Sequence, residues 1–571
     1  MKRLSLPISA LKPAYDVVVI GSGYGGSITA SRMARAGKKV CLLERGREIL
    51  PGEYPNEFKE SSAETQIDTP KLQLGKKTGM FDVRVNPDIT VIKGCGLGGG
   101  SLINANVGLE PEENAFADPC WPKALRDDRA TLQQAFAKVH AMLKTATLPV
   151  TASPLPAKTL SLKTAAEATG LGDHWRLAPI YVNFDITGPN HVGVEQQPCN
   201  GCGDCCSGCN YSAKNTLIMN YLPDASNHGA EIYTQVNVRY VEKQDNQWKV
   251  FYNLLATGEE KLDAPTSFIL AAVVVLAGGT LGSTEILLRS KQNGLPCSDM
   301  TGAHFTGNGD FLAFAYNSDV RANAIGMGKK APDANDPVGP GMSSIIDLRD
   351  PTDSRQGMLI ADGSTPGMLA NAFYAMVSLA SKLEGKPTNT GLGGWLKKRQ
   401  REIDTGLRGP YHGAANHTLV YLAMSNDDGN GKMALEDDRI RVAWSGAGKQ
   451  PIYEKVSDQL LALTRTLGGV YTKNPAWTKL FSSKLVTVHP LGGCIMGEDA
   501  SLGVVNDKGQ VYTGTTGNAV YPGLYVSDGA IIPRPLSVNP SLTISALAER
   551  NCIYMAQERG WKFNTDFEGG G

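Results

Sequence analysis

Between Tyr15 and Gly46 the chain reads YDVVVIGSGYGGSITASRMARAGKKVCLLERG, and no other stretch constrains its fold so strongly. Val17 to Ile20 is an unbroken apolar run, as a parallel strand buried on both faces requires. Gly21, Gly23 and Gly26 then give GxGxxG: a tight turn, a close backbone approach to a pyrophosphate, and close packing of helix on strand. Tyr24 and Gly25 lie inside the same turn and are assigned to the cofactor with it. A pyrophosphate would sit at the N-terminus of the helix that follows, where unpaired N–H groups and the helix dipole favour an anion. Gly37 ends that helix, Lys38 to Leu43 forms the next strand, and Glu44 stands where an acid accepts hydrogen bonds from ribose hydroxyls. The stretch is therefore a dinucleotide-binding βαβ unit.

The rest of the composition excludes more than it assigns. The 571 residues are 42% hydrophobic and 20% charged, with 56 basic and 56 acidic side chains, which gives no reason to expect nucleic acid. The N-terminal MKRLSLPISALKPAYD has no sustained apolar segment of the secretory type, and the longest apolar run, Phe268 to Ala277, is too short to span a bilayer. Five of eleven cysteines fall within Cys199 to Cys209, a cofactor or metal pattern of a reducing compartment, so a cytoplasmic location is expected. The closing Glu568 to Gly571 reads as a frayed end.

A second glycine loop follows the strand-like Ile89 to Lys93. Gly94, Gly96, Gly98, Gly99 and Gly100 in so short a span let backbone approach something flat or bulky, so Gly98, Gly99 and the adjoining Ser101 are expected at the cofactor. Pro51 to Lys76 reads as polar loop, residues 126–175 as helical, Glu231 to Val241 as a strand, and Gly278 as the start of a helix running through Arg289. The expected fold is mixed α/β: a Rossmann-like dinucleotide-binding domain interleaved with a substrate domain built on an antiparallel sheet with helices. The first domain is expected from 14–50, 88–125, 228–312 and 484–556, and the second from 51–87, 126–227 and 313–483.

Several longer motifs resemble the glucose-methanol-choline (GMC) flavin oxidoreductases, most closely the cholesterol oxidase branch. They are GLGGGSLIN at 96–104, GGTLGSTEILLRS at 278–290, GAHFTGNGD at 302–310, HPLGGCIMG at 489–497 and DGAIIPRPLSVNPSLTISALAERN at 528–551. The resemblance implies non-covalent FAD, and no His follows the GGGS loop where some relatives attach flavin covalently. It places Asn104 near the ring, Val236 at the adenine, Gly278 at the cofactor, and Asp528 with Gly529 along the flavin chain. An alcohol oxidised by hydride transfer to flavin N5 must also lose its hydroxyl proton. His489 is the candidate base, since Pro490 biases it to extended backbone and the glycines after it allow close approach to a ring. Asn539 precedes Pro540, which suits the first position of a helix, so Asn539 is expected as its N-cap. In the resembling enzymes the matching Asn also binds the substrate oxygen, while the helix start faces the flavin pyrimidine ring.

Cys199, Cys202, Cys205 and Cys209 stand at C-x2-C-x2-C-x3-C, with Cys206 as an extra thiol. That is the spacing of bacterial ferredoxin runs, with Asn210 in place of the usual proline. An iron–sulfur cluster, a structural zinc and metal-free thiols all stand open. A carboxylate for double-bond isomerisation has no firm place, although Glu402 and Asp404 are near the right region.

The function expected is oxidation of a hydrophobic, sterol-like alcohol to its carbonyl, with dioxygen or another redox acceptor taking the electrons and with peripheral membrane contact through the substrate region. The alternatives are a cluster-bearing dehydrogenase that feeds a quinone or cytochrome, and a lyase or decarboxylase on the same fold.

Overall fold

Ser267–Leu276 is the strand around which the nucleotide-binding half is arranged. One of its edges carries Ala14–Ile20 in parallel, followed outward by Val40–Leu43 and Glu231–Tyr233, all parallel. Its other edge is shared: the N-terminal half pairs antiparallel with Gln247–Leu254, and the C-terminal half pairs parallel with Val520–Val526. Val17, Val18, Val19, Val273, Val274 and Val275 are all fully buried, so the apolar runs read as strands covered on both faces. The computed structural model describes residues 1–149, 154–255, 267–389, 391–477 and 484–565, and the C-terminal 568–571 lies outside the described residues.

The helix Tyr24–Arg35 lies on this sheet beside Ser541–Glu558. Arg32 and Glu549, both buried, pair at 2.5 Å, and the Tyr221 hydroxyl donates to Glu549 at 2.7 Å. Removing one partner would leave the other charge buried alone, a loss of about 3–5 kcal/mol, so the two helices are held in fixed register.

The second layer is an antiparallel sheet whose order is Lys386–Pro387, Val470–Lys473, Phe311–Tyr316, Leu419–Ser425, Met358–Gly363, Ser344–Asp347 and Trp175–Leu177. Helices Ala157–Ala168 and Pro451–Thr466 cover one side and Ala370–Glu384 the other. A smaller sheet of Leu485–Thr487, Ile89–Gly94, Phe81–Val85, Thr65–Asp68 and Gln73–Leu74 joins the halves and delivers the chain to His489.

Three local expectations change. Residues 231–241 form two strands, Glu231–Tyr233 and Val236–Gln244, because Gln235 takes φ +61° and turns the chain out of the parallel sheet into an antiparallel pair. Pro51 to Lys76 is not all loop: it holds the helix Phe58–Ala63, closed by a capping box of Glu57 and Glu60, and two strands. The C-terminal helix starts at Ser541, Pro540 is its cap, and Asn539 makes no capping bond.

Candidate functional site

Three distant segments lie side by side through backbone hydrogen bonds. Leu491 and Thr306 exchange N–H···O bonds of 3.0 and 3.1 Å, and Gly302 N–H donates to Gly493 at 2.7 Å. On the other side Gly492 donates to Gly529 and Cys494 to Ala530, both at 3.0 Å. The HPLGG segment is thus fixed between residues 302–310 and 528–531.

His489 follows directly on this arrangement. Asp310, whose side chain is 2% exposed, accepts from the Thr487 hydroxyl at 2.8 Å, the Val488 N–H at 2.9 Å and the His489 Nδ1–H at 2.7 Å. A carboxylate with these donors keeps the imidazole proton on Nδ1 and leaves Nε2 as the acceptor. Asn539 Nδ2 donates to that Nε2 at 3.3 Å. Freed from capping, the Asn539 side chain therefore meets His489, and its Oδ1 is buried without a hydrogen-bond partner. Asn308 fixes the approach: its Nδ2 donates to the Val538 carbonyl at 2.8 Å and its Oδ1 accepts from Leu536 N–H at 2.7 Å. Asp427 fastens the same loop by accepting from Thr306, Gly307, Gly309 and Gly429. Sequence reasoning missed Asp310, Asn308 and Asp427; the first two sit inside GNGD, a motif noted only as a whole.

From Asn539 the site continues to the first glycine turn. Ser541, two residues on, has its hydroxyl 3.4 Å from that of Tyr181, and it neighbours Tyr24, whose hydroxyl accepts from Asn104 Nδ2 at 2.6 Å. Burial pushes the Tyr24 phenol up, so it remains a neutral hydroxyl. Gly98 and Gly99 press the second glycine loop onto the first: Gly98 N–H donates to Ser22 Oγ at 2.9 Å, and a Cβ on Gly99 would stand 2.8 Å from Gly23 Cα. The Ser101 hydroxyl closes that loop by donating to the Gly98 carbonyl at 2.7 Å. Glu44 accepts from the Ser22 N–H and hydroxyl and from Gly46 N–H, and its carbonyl accepts from Val236 N–H at 2.9 Å. Asp528 accepts from Gly279 N–H at 2.8 Å, the Ser283 hydroxyl at 2.5 Å and Ala530 N–H at 2.8 Å. Burial pushes its carboxyl up to about 6 against those three donors. Gly278 opens the helix Gly279–Gln292 and donates to Ser283.

These residues fit a flavin dinucleotide. Helix Tyr24–Arg35 has no side-chain cap and no acid in its first turn, and a Cβ on Gly23 would meet no heavy atom within 4 Å, so its N–H groups face an open approach. By contrast a Cβ on Gly25 would lie 1.5 Å from the Ser527 carbonyl oxygen and one on Gly26 1.9 Å from that of Gly21. Nearby, Asn104 Oδ1, both side-chain polar atoms of Asn106, Asn539 Oδ1 and Thr543 Oγ1 are buried without partners, the kind of groups a ring with a polar edge satisfies. Gly99→Ala is expected to cost about 2 kcal/mol or more, since Ala at φ +53° is strained and its methyl prises the two loops apart. Thermal unfolding and the flavin-to-protein absorbance ratio check it, and both should fall.

Other predicted groups lie elsewhere. Glu402 and Asp404 pair with Arg399 and Arg408 along helix Leu392–Arg408. Cys199, Cys202, Cys205 and Cys209 line one small cavity, although among the described residues no three metal-ligating side chains converge to hold a single ion. A cavity of about 1200 Å³ is lined by Arg45, Arg47, Arg84, Arg239, Arg289 and Arg439 but by neither His489 nor Asn539. Those guanidinium groups pair with Asp82, Glu64, Asp68 and Asp438, so it reads as an ion-pair network. Among the described residues no helix is long and apolar enough to cross a membrane.

Similar proteins place this arrangement. The chain is 29% identical to a cholesterol oxidase of Mycobacterium tuberculosis, over 95% of this chain and 91% of the relative. It is 28% identical to a cholesterol oxidase of Acinetobacter baumannii, over 95% and 94%. It is 24% identical to a long-chain-alcohol oxidase of Arabidopsis thaliana, over 93% of this chain and 66% of that protein. Among solved structures, the pyridoxine 4-oxidase of Mesorbium loti superposes with a TM-score of 0.55 at 15% identity, over 95% of this chain and 99% of the other. An FAD-dependent oxidoreductase of Chaetomium thermophilum gives 0.59 at 15%, over 96% and 100%. These two show the shared fold, a Rossmann-like FAD-binding domain interleaved with a substrate domain. The GMC oxidoreductase family profiles match residues 15–295 and 433–548. With both family profiles matched and relatives aligned over nearly its whole length, the chain belongs to the GMC oxidoreductases, enzymes that act on alcohol donors.

Proposed function

We propose that this enzyme oxidises a hydrophobic, sterol-like alcohol to its carbonyl with non-covalent FAD. The observation that carries the reading is the ordered contact Asp310–His489–Asn539, 2.7 and 3.3 Å, beside a flavin-shaped set of glycines and orphaned amides. FAD, when bound, supplies the two-electron acceptor for the hydride. Gly21, Gly23, Tyr24, Gly25, Gly26, Glu44, Gly98, Gly99, Ser101, Asn104, Val236, Gly278, Asp528, Gly529 and Pro540 are the residues proposed to hold it. His489 Nε2, the free acceptor of the tautomer in which Asp310 holds the proton on Nδ1, takes the hydroxyl proton as the carbon is oxidised. Asn539 Nδ2 sits within reach of the same oxygen and orients it against His489. Asn539 is buried and His489 half-buried, at 6% residue and 12% side-chain exposure, which limits water at the proton acceptor. The similarity to cholesterol oxidases and to a long-chain-alcohol oxidase supports a hydrophobic alcohol. Turnover of a panel of sterols, long-chain primary alcohols and small sugars tests this: preference for sugars would overturn it. A lyase or decarboxylase on the same fold would give product without net oxidation of an alcohol.

We infer further that the enzyme meets its substrate at an anionic lipid surface. Leu392, Trp395, Leu396, Ile403 and Leu407 are exposed along one stripe of Leu392–Arg408, and Met376, Leu379 and Leu383 along Ala370–Glu384. Both helices flank strand Phe311–Tyr316: Asn317 just beyond it binds Lys398, and Tyr316 meets Ser378 and Glu402. Leu392–Arg408 carries Lys397, Arg399, Arg401 and Arg408 outside the buried Lys398; Arg399, Arg401 and Arg408 pair with Glu402, Asp319 and Asp404, and Lys397 adds a basic excess on a chain of zero net charge. An apolar stripe bordered by basic residues suits the acyl–headgroup boundary of an anionic bilayer. W395S/L396S is expected to lower co-sedimentation with phosphatidylserine-containing vesicles about tenfold, for two large apolar side chains withdrawn from lipid. Equal sedimentation, or self-association through this face in light scattering, would contradict it.

A further inference from the structure

The arginine-lined cavity is short of anions. It lies between strands Thr65–Asp68 and Gln73–Leu74 on one side and strand Val236–Gln244, helix Gly279–Gln292 and the turn at residues 437–439 on the other. Among the described residues its wall carries six arginines and two lysines against five carboxylates. The ion pairs are shared accordingly. Asp68 takes Arg84, Arg439 at 2.8 Å and Arg441 at 2.6 Å. The fully buried Asp82 takes Arg45, Arg84 at 2.7 Å and Lys93 at 2.9 Å, so these two carboxylates serve five cations. Asp438 is likewise divided between Arg239 and Arg289. Burial alone would raise the Asp82 carboxyl, yet Lys93, Arg84 and Arg45 hold it well below the usual carboxylate range.

Water screens little of this charge, since the side chains of Arg84, Arg289 and Arg441 are 9%, 8% and 3% exposed. Guanidinium groups withdrawn from water repel one another strongly, and a phosphate, with several oxygens, bonds more than one of their forks at once. The three positive charges in excess on the wall match a di- or triphosphate better than a single carboxylate. At about 1200 Å³ the cavity lies beyond the roughly 300–1,000 Å³ of ordinary ligand pockets, so a bare phosphate would leave most of it empty. Glu64 adds an independent observation. It stands on the same wall, and its Oε2 is buried without a hydrogen-bond partner, an acceptor that a ligand hydroxyl would satisfy. Gln235 and Asn237 line the cavity with amides that can both donate to and accept from the edge of a base.

We propose that this cavity binds a nucleoside di- or triphosphate, separate from the flavin cofactor, with its phosphates among Arg84, Arg239, Arg289 and Arg439 and its ribose hydroxyls at Glu64. The bound ligand braces the cofactor. Arg45 and Arg47 belong to the cavity wall and flank Gly46, whose N–H donates to Glu44 at 2.7 Å and whose carbonyl accepts from Gln235 N–H at 3.0 Å. The Arg47 carbonyl accepts from Leu97 N–H of the second glycine loop at 3.0 Å, and a Cβ on Gly46 would stand 2.3 Å from the Gly96 nitrogen. The turn after Glu44 and the second glycine loop are therefore packed as one piece, and a ligand that holds Arg45 and Arg47 slows release of the dinucleotide from Glu44. By reciprocity FAD tightens the ligand by the same factor. This coupling rests on the FAD reading; the nucleotide site does not.

The test uses the full-length protein, saturated with FAD and separately freed of it, titrated by calorimetry at constant ionic strength and without divalent metal. The probes are sulfate, inorganic phosphate, pyrophosphate, ADP and ATP. ADP and ATP should bind one per chain to the FAD-saturated protein, at least about tenfold more tightly than sulfate or inorganic phosphate. R239Q/R439Q should weaken ATP at least about tenfold while alcohol turnover stays within about twofold. Lys76→Glu, at the exposed rim where no packing is lost, should weaken it about threefold and keeps the site testable if the double variant does not fold. Saturating ATP should slow FAD loss after dilution about fivefold. No heat with any nucleotide, or ATP binding unchanged in both variants, would overturn the site. Binding to the FAD-free protein alone, displaced by FAD, would overturn it by making the cavity the outer end of the dinucleotide site. Equal affinity for sulfate and ATP would overturn the nucleotide class, and FAD loss unchanged by ATP would overturn the coupling. A chain that takes up no FAD would instead remove the cofactor reading and leave the titration of the FAD-free protein standing.

Discussion

Replacing His489 with Ala is expected to lower kcat by about 10²–10⁴-fold, the range supplied by a positioned general base, while leaving FAD bound and the fold intact. The side chain lies at the edge of the site and contacts Asp310 and Asn539 through its ring, so its loss removes no core packing. The proton would then have to leave the alcohol for water, which has little access between Asn539 and Asp310. Anaerobic stopped-flow of the flavin-reduction step separates this from an effect on reoxidation. Its rate should fall with kcat, whereas the KM for alcohol should move only a few-fold. Reduction at the wild-type rate would show that the base is another group.

Asp310→Asn is expected to have the second largest effect, a loss of about 10²–10³-fold in the same rate, within the roughly 10⁴ cost of the equivalent exchange in a Ser-His-Asp arrangement. The carboxamide can still accept from Val488 N–H and the Thr487 hydroxyl, which are now held by Asp310 at 2.9 and 2.8 Å, so the local fold should survive. Turned towards His489, however, its NH₂ donates to Nδ1 and moves the imidazole proton to Nε2. That puts a proton where the alcohol must deliver one. Asp310→Glu, which keeps the anion, should recover part of the rate, whereas a purely structural role would leave Asn better tolerated than Glu. Equal rates for wild type and Asp310→Asn would contradict the positioning role.

How far the chain was legible depended on whether the information was local. The βαβ unit could be read because strand, turn, helix and acid fall within about 30 residues and each choice agrees with the next. The Ser267–Leu276 strand could be read from its unbroken apolar run, but its shared edge could not, since that depends on two strands from distant parts of the chain. Residues 231–241 look continuous in β propensity; the break at Gln235 is enforced by the parallel sheet ending at Tyr233, a tertiary effect. The site divides in the same way. His489 and Asn539 carry local signals, a proline beside each and glycines after the His. Asp310 carries none: it lies far from His489 in sequence and is brought to it by the Thr306–Leu491 and Gly302–Gly493 backbone bonds. Asn539 shows how a sound local rule is overridden. An Asn before Pro at a helix start is a good cap, yet the chain gives that role to Pro540 and directs the amide to the imidazole.

The reaction proposed for this chain is transfer of a hydride from an alcohol carbon to bound FAD. The most direct measurement is anaerobic mixing of the purified flavoprotein with a sterol or long-chain alcohol in the dark, following the yellow flavin absorbance while the product is identified. The expected result is stoichiometric bleaching with one carbonyl formed per flavin, at a rate that collapses in His489→Ala. A flavin that stays oxidised with every such alcohol, or product formed by cleavage or loss of carbon dioxide without bleaching, would contradict it.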